Sequence, residues 1–180
     1  MKYSDYSKAY AGIAQLIKHL YATHEYLLES DVLREYEKKT FNHILYEEAA
    51  STDIQIAIKQ LAVYIKRKFN KPPIILIDEY DTPIREAYLN GYYKEMIELM
   101  RSILGQALKD NSDLAKAVLT GITRVSQESL FSGLNNVRVY SLLKEQYGQY
   151  FGFTEEEVAK LITETRQEAE LKSIKEWYNG

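Results

Sequence analysis

Two adjacent acids close the most apolar run in this chain. Ile74, Ile75, Leu76 and Ile77 are followed at once by Asp78 and Glu79, then by Tyr80 and Asp81. Four aliphatic residues ending in Asp-Glu is the Walker B arrangement. In it the first acid, at a strand tip, holds a magnesium ion, usually through water, and the second orients the water that attacks a terminal phosphate. The two roles call for adjacent residues, because successive strand side chains point to opposite sides and so separate metal holding from water activation. A second apolar run, Ala117 to Ile122, contains Thr120, whose hydroxyl could sit between that water and the phosphate. Arg124 follows closely enough to bring positive charge to the same site, or to that of a neighbouring subunit. The spacing thus nominates Asp78 as the metal ligand and Glu79, Thr120 and Arg124 as catalytic residues. The plain alternative is that acids end strands because they face water, with Arg124 in a surface ion pair.

Other chemistries find less support. Gly-x-x-x-x-Gly-Lys followed by Ser or Thr, whose amides cradle phosphates and whose Lys reaches the β- and γ-oxygens, does not occur in the sequence. A nucleotide would therefore lack its main handle here. His19 and His24 are five apart and His43 stands alone, so no zinc spacing exists. Glu155, Glu156 and Glu157 sit at a helix start, where the helix dipole favours negative charge, and read as a cap. A nuclease would need Asp78 with a later Glu-x-Lys, and the acids and lysines from Glu35 to Lys39 or Lys172 to Lys175 do not form one on a strand. Gly-x-Ser-x-Gly is missing as well, which removes serine hydrolase chemistry.

The elements that must position Asp78 and Thr120 are legible in the apolar periodicity. Tyr10, Ile13, Ala14, Ile17, Leu20, Tyr21 and Leu27 recur at spacings of three and four, predicting a helix from Tyr6 to Leu28. Ser30 or Asp31 could cap a short helix through Val32, Leu33 and Tyr36. Ser51 to Asp53 starts a longer one reaching Phe69, with Ile54, Ile58, Leu61, Ala62 and Ile65 inward. Pro72 and Pro73 then stop the helix, and Ile74–Ile77 reads as a strand buried on both faces. A helix over Tyr92 to Leu108 and the run after Ala117 complete a βαβ unit, which demands a parallel pair. Val137 to Leu142 is a candidate third strand, and Thr154 with Glu157 forms a capping box for a C-terminal helix.

Composition bounds the rest. The chain has 180 residues, 46% hydrophobic and 27% charged, with 3 Pro and 8 Gly, which is globular rather than disordered. That length buries roughly two-thirds of the unfolded surface. A net charge of -3 with interspersed signs gives no basic field for nucleic acid. The absence of Cys removes disulfides and thiolate chemistry and agrees with a cytoplasmic home. The polar N-terminus and the lack of a run near 20 apolar residues argue against secretion and membrane insertion.

Four stretches in order, LIDEYDTPI within Ile75 to Ile84, LTGITR from Leu119 to Arg124, SQESLFSGLNN from Ser126 to Asn136 and FGFTEEEV from Phe151 to Val158, resemble the predicted AAA-ATPase-like family of bacterial proteins. Trp177 to Gly180 also resembles a point inside the family's chain. The resemblance implies that Asp78 is the magnesium-side Walker B acid, Glu79 the catalytic acid, and Thr120 with Arg124 the sensor region. Family members typically begin with a phosphate-binding loop and often end in a domain resembling PD-(D/E)xK nucleases. Asp81 and Arg85 lie in the same motif without a derivable role, an ion pair bracing the turn being one account. Asn135 and Asn136 read as turn residues.

The expectation is a single, incomplete α/β domain, helix-rich and three-layered, of P-loop NTPase type with a short parallel sheet. Residues 1–70 would be its helical part, 71–143 the Walker B and sensor core, and 144–180 the C-terminal helices. Magnesium and ATP are the cofactors expected of the full-length protein, with neither held tightly by this chain alone. The competing class is a non-catalytic binding or scaffolding module that forms a homodimer or pairs with a partner protein.

Overall fold

The computed structural model describes residues 3–122, 130, 137–141, 146–147, 150, 152–165 and 171–178. The chain divides into two units, 1–136 and 137–180.

The first unit opens with α1 (Tyr6–Ala22), whose N-cap Asp5 accepts a hydrogen bond from the Lys8 amide at 2.9 Å. The predicted continuation to Leu28 breaks into a single 3₁₀ turn at Glu25–Leu27. The cause is local: the Thr23 hydroxyl donates to the Leu20 carbonyl at 2.7 Å, and His24 Nδ1 meets the same carbonyl at 2.9 Å. Side chains thereby compete with the helix for its own acceptors. The next helix, α2 (Glu35–Leu45), starts later than Ser30 or Asp31 predicted, because Glu37 turns back to accept the Arg34 amide at 2.8 Å. Helix α3 (Ser51–Phe69) starts where predicted and ends at Asn70, which takes up the left-handed conformation (φ 52°).

Strand β1 (Ile74–Ile77) and strand β2 (Lys116–Leu119) pair in parallel, with Ile74 opposite Lys116 and Ile77 opposite Leu119. Two helices join them, α4 (Thr82–Asn90) and α5 (Tyr93–Leu108). Helix α5 follows the prediction, whereas α4 was not anticipated. Pro83 in its first turn and Gly91 (φ 82°) just past its end are ordinary start and stop signals. Among the described residues the sheet has these two strands, and residues 137–141 of the expected third strand are not in one.

The core lies between helices. Ile54, Ala57, Leu61 and Tyr64 of α3 are buried with Met96, Met100, Ile103, Leu104 and Ala107 of α5, and Tyr21, Phe41 and Ile44 join the same cluster. Ile75, Ile77, Ala117 and Leu119 lay one face of the sheet on it. The other face is open: Ile74 is 60%, Leu76 75% and Val118 41% exposed. This corrects the reading of β1 as buried on both faces. A run of four aliphatic residues has no alternation to reveal that helices cover one side.

An ion pair braces the helices from outside the core. Glu37, buried on α2, accepts from Arg67 Nη1 of α3 at 2.8 and 2.9 Å, and that guanidinium lies 5.9 Å from the Tyr64 ring centroid.

In the second unit, α6 (Glu155–Thr165) begins with the predicted capping box: the Thr154 amide donates to Glu157 Oε2 at 2.8 Å and the Glu157 amide to Thr154 Oγ1 at 3.3 Å. Donation from the Thr154 amide, and then from its hydroxyl, holds the Glu157 carboxyl below its ordinary pKa. Helix α7 (Leu171–Tyr178) is tied to α6 by Lys175 and Glu155 at 2.6 Å. Among the described residues no helix is long and apolar enough to cross a membrane.

Candidate functional site

Parallel pairing brings the carboxyl ends of β1 and β2 side by side, the usual place for a ligand site in an open α/β sheet. Backbone bonds continue past the strands. The Thr120 amide donates to the Ile77 carbonyl at 2.9 Å, and the Tyr80 amide to the Thr120 carbonyl at 3.0 Å. Asp78 and Thr120 are thereby neighbours, and the Thr120 hydroxyl donates to Asp78 Oδ1. The same oxygen accepts the Glu79 amide at 3.0 Å. Two residues 42 apart in sequence and nominated for one site are in direct contact.

Glu79 is also placed at this end, by a different device from the one expected. Strand β1 stops at Ile77, and Glu79 adopts the left-handed conformation (φ 51°), so strand alternation does not separate it from Asp78. The chain instead turns sharply into α4: the Thr82 amide donates to the Glu79 carbonyl at 3.0 Å, and the Thr82 hydroxyl to Glu79 Oε2 at 3.3 Å. Asp78 and Glu79 both remain exposed to solvent. Left-handed backbone at a residue other than Gly is strained, and such strain gathers at functional sites.

Asp81 departs most from the neighbouring acids. It is 1% exposed, at the N-cap of α4, where its side chain does not cap the helix. Its carboxylate instead faces Gly121, at the tip of β2. A Cβ on Gly121 would lie 2.5 Å from Asp81 Oδ1 and 2.9 Å from Tyr80 Cε1. Sequence reasoning named Asp81 without a role and passed over Gly121 and Thr82. The one signal available was a glycine directly after the nominated Thr120. Arg85 is exposed, its amide bonded to the Asp81 carbonyl at 2.9 Å. Arg124, Asn135 and Asn136 lie outside the described residues.

The donors at the strand tips are all oxygens: carboxylates of Asp78 and Glu79 and the hydroxyl of Thr120. Among the described residues no three His, Cys, Asp or Glu side chains gather into a metal cage. Such a sparse, hard donor set fits magnesium, which keeps several of its waters and takes one or two protein carboxylates.

Fold and site together define a helix-rich α/β protein whose short parallel sheet carries an acid-hydroxyl site at its carboxyl end. The chain belongs to the predicted AAA-ATPase-like family, whose description, Predicted AAA-ATPase, matches residues 4–131. That match includes LIDEYDTPI and LTGITR and ends before FGFTEEEV. One relative, "Uncharacterized protein in vnfD 5'region" of Azotobacter chroococcum mcd 1, is 30% identical over 108 residues. The alignment covers 59% of this chain and 21% of that protein, so this chain spans about a fifth of its relative's length. No solved structure matches the chain.

Proposed function

We propose that Asp78, Glu79 and Thr120 form the magnesium and water-handling half of a nucleoside-triphosphate hydrolysis site, completed in the longer protein by a separate phosphate-binding element. The observation that carries this reading is the hydrogen bond from Thr120 to Asp78 across two parallel strand tips, in a chain of the predicted AAA-ATPase-like family.

Asp78 and Thr120 would hold the ion, which when bound supplies charge neutralisation between the β- and γ-phosphates. Asp78 accepts from both Thr120 and the Glu79 amide, which fixes its carboxylate before any ligand arrives. Glu79, exposed and steered by the Thr82 hydroxyl, is the group that orients the attacking water and takes up its proton. Arg124 is assigned the neutralisation of phosphate charge as a sensor residue. Without phosphate-cradling amides, these residues alone would give weak affinity and little transition-state stabilisation.

Calorimetric titration of magnesium with a non-hydrolysable ATP analogue tests this reading. Millimolar binding is expected, weakened about tenfold or more by Asp78→Ala. Glu79→Ala should keep the binding. No heat at millimolar nucleotide, or equal heat with Asp78→Ala, overturns the assignment and leaves the chain the role of a non-catalytic module.

A further inference from the structure

Asp81 is a buried carboxylate that the proposed chemistry does not use. Its position at the start of α4 would suit an N-cap, yet its side chain makes no capping bond there and is turned inward. One surface it packs against is the backbone of Gly121. The approach is so close that an added Cβ would stand 2.5 Å from Oδ1, a distance that real Cβ atoms essentially never show, and 3.0 Å from Cγ. Gly121 directly follows Thr120, and Asp81 lies three residues after Asp78. Each member of this contact is therefore chained to one member of the Thr120 to Asp78 hydrogen bond.

We propose that Asp81 is a positioning residue, whose carboxylate packs against Gly121 to set the spacing between the β1–α4 turn and the tip of β2. The cation-holding pair Asp78 and Thr120 then depends on a residue that touches neither ligand nor metal.

The Tyr80 to Thr120 and Thr120 to Ile77 backbone bonds, at 3.0 and 2.9 Å, join the tips only while Gly121 can approach the turn. A side chain at Gly121 pushes against a buried carboxylate that close packing leaves little room to move. The displacement is passed to the exposed tip, which has less packing to resist it. The inference rests on the reading of Asp78 and Thr120 as one site, and adds that the site's geometry is held from beneath.

The test uses the 180-residue chain with Gly121→Ala, Asp81→Ala, their double variant and Asp81→Asn. Amide hydrogen exchange by NMR is the first readout. Gly121→Ala should speed exchange at Tyr80 and Thr120 by about tenfold or more, while Leu61 and Leu104 in the helical core keep their protection. In the double variant the added methyl should cost clearly less than in wild type, since Asp81 is gone and the Tyr80 ring, 2.9 Å from such a Cβ, is the obstacle left. Asp81→Asn, of the same shape, should keep the tips closed.

The second readout is paramagnetic broadening by manganese ion, which a merely structural role would not move at unchanged melting temperature. Broadening centred on Asp78, Glu79 and Thr120 should need about tenfold more ion in Gly121→Ala and stay near wild type in Asp81→Asn. Unchanged exchange at Tyr80 and Thr120 in Gly121→Ala overturns the inference. So does a double variant in which the methyl costs as much as in wild type, or an equal manganese affinity in Gly121→Ala. No broadening in wild type overturns instead the reading of the tips as a cation site, and exchange then decides the spacing role alone.

Discussion

The α3–α5 interface and the tips of β1 and β2 are built on opposite principles. Along the interface many apolar side chains bury one another, so no single hydrogen bond fixes the geometry. At the tips, a handful of polar groups, most of them on exposed backbone, form the contacts between the strands, with Glu79 in a strained conformation. Stability resides in the first region and the proposed chemistry in the second, so substitutions at the tips should disturb ligand binding far more than folding.

The largest effect belongs to the core. Phe41 is fully buried against Tyr21, with ring centroids 4.6 Å apart. Phe41→Ala should destabilise by about 3–5 kcal/mol in urea denaturation. A loss of about 1 kcal/mol or less would mean that the helical body is as loosely packed as the tips.

Next comes the brace between α2 and α3. Arg67→Met leaves Glu37, whose side chain is 7% exposed, without its guanidinium, at an expected loss of about 1–3 kcal/mol. Its pH dependence has a definite sign. Burial pushes the Glu37 carboxyl upward, but the Arg34 amide and the Arg67 guanidinium outweigh it and hold the group below its ordinary value of 4.5. A depressed folded-state value stabilises the fold above 4.5, and that contribution is lost as pH falls through the lower folded value. Melting curves of wild type should therefore fall in this acid range more steeply than those of Arg67→Met.

A smaller effect tests whether a single buried hydrogen bond matters within the redundant region. The Tyr21 hydroxyl donates to the Ala57 carbonyl at 2.9 Å, and burial pushes its pKa well above the usual phenol value. Tyr21→Phe should lose about 1 kcal/mol. The smallest effect has the opposite sign and sharpens the contrast most. Glu79→Gly relieves the positive φ and should raise stability by roughly 0.5–1 kcal/mol. The same variant should end the proposed nucleotide hydrolysis in the longer protein. A destabilised Glu79→Gly would show that the turn is held by the Glu79 side chain and its bond to Thr82.

Much of the helical body was legible because its signals are local. Periodicity located the start of α1 and both ends of α3 and α5, and Thr154 with Glu157 announced the start of α6. The β1 acids and Thr120 could be nominated because a parallel βαβ unit places successive strand tips together. The end of α1 turned on Thr23 and His24 taking the Leu20 carbonyl, and α4 was hidden inside a motif read for its acids.

The sequence by itself determined most of the helical body, the parallel pairing and the family, since each depends on residue types at short, fixed spacing. Only the tertiary structure decided that Ile74, Leu76 and Val118 face outward, that Glu79 turns left-handed, and that Asp81 alone of the three acids is sealed under Gly121. Those outcomes depend on which side of the sheet the helices cross and how closely two distant backbone segments approach. Neither quantity is written in the spacing of residues along one strand.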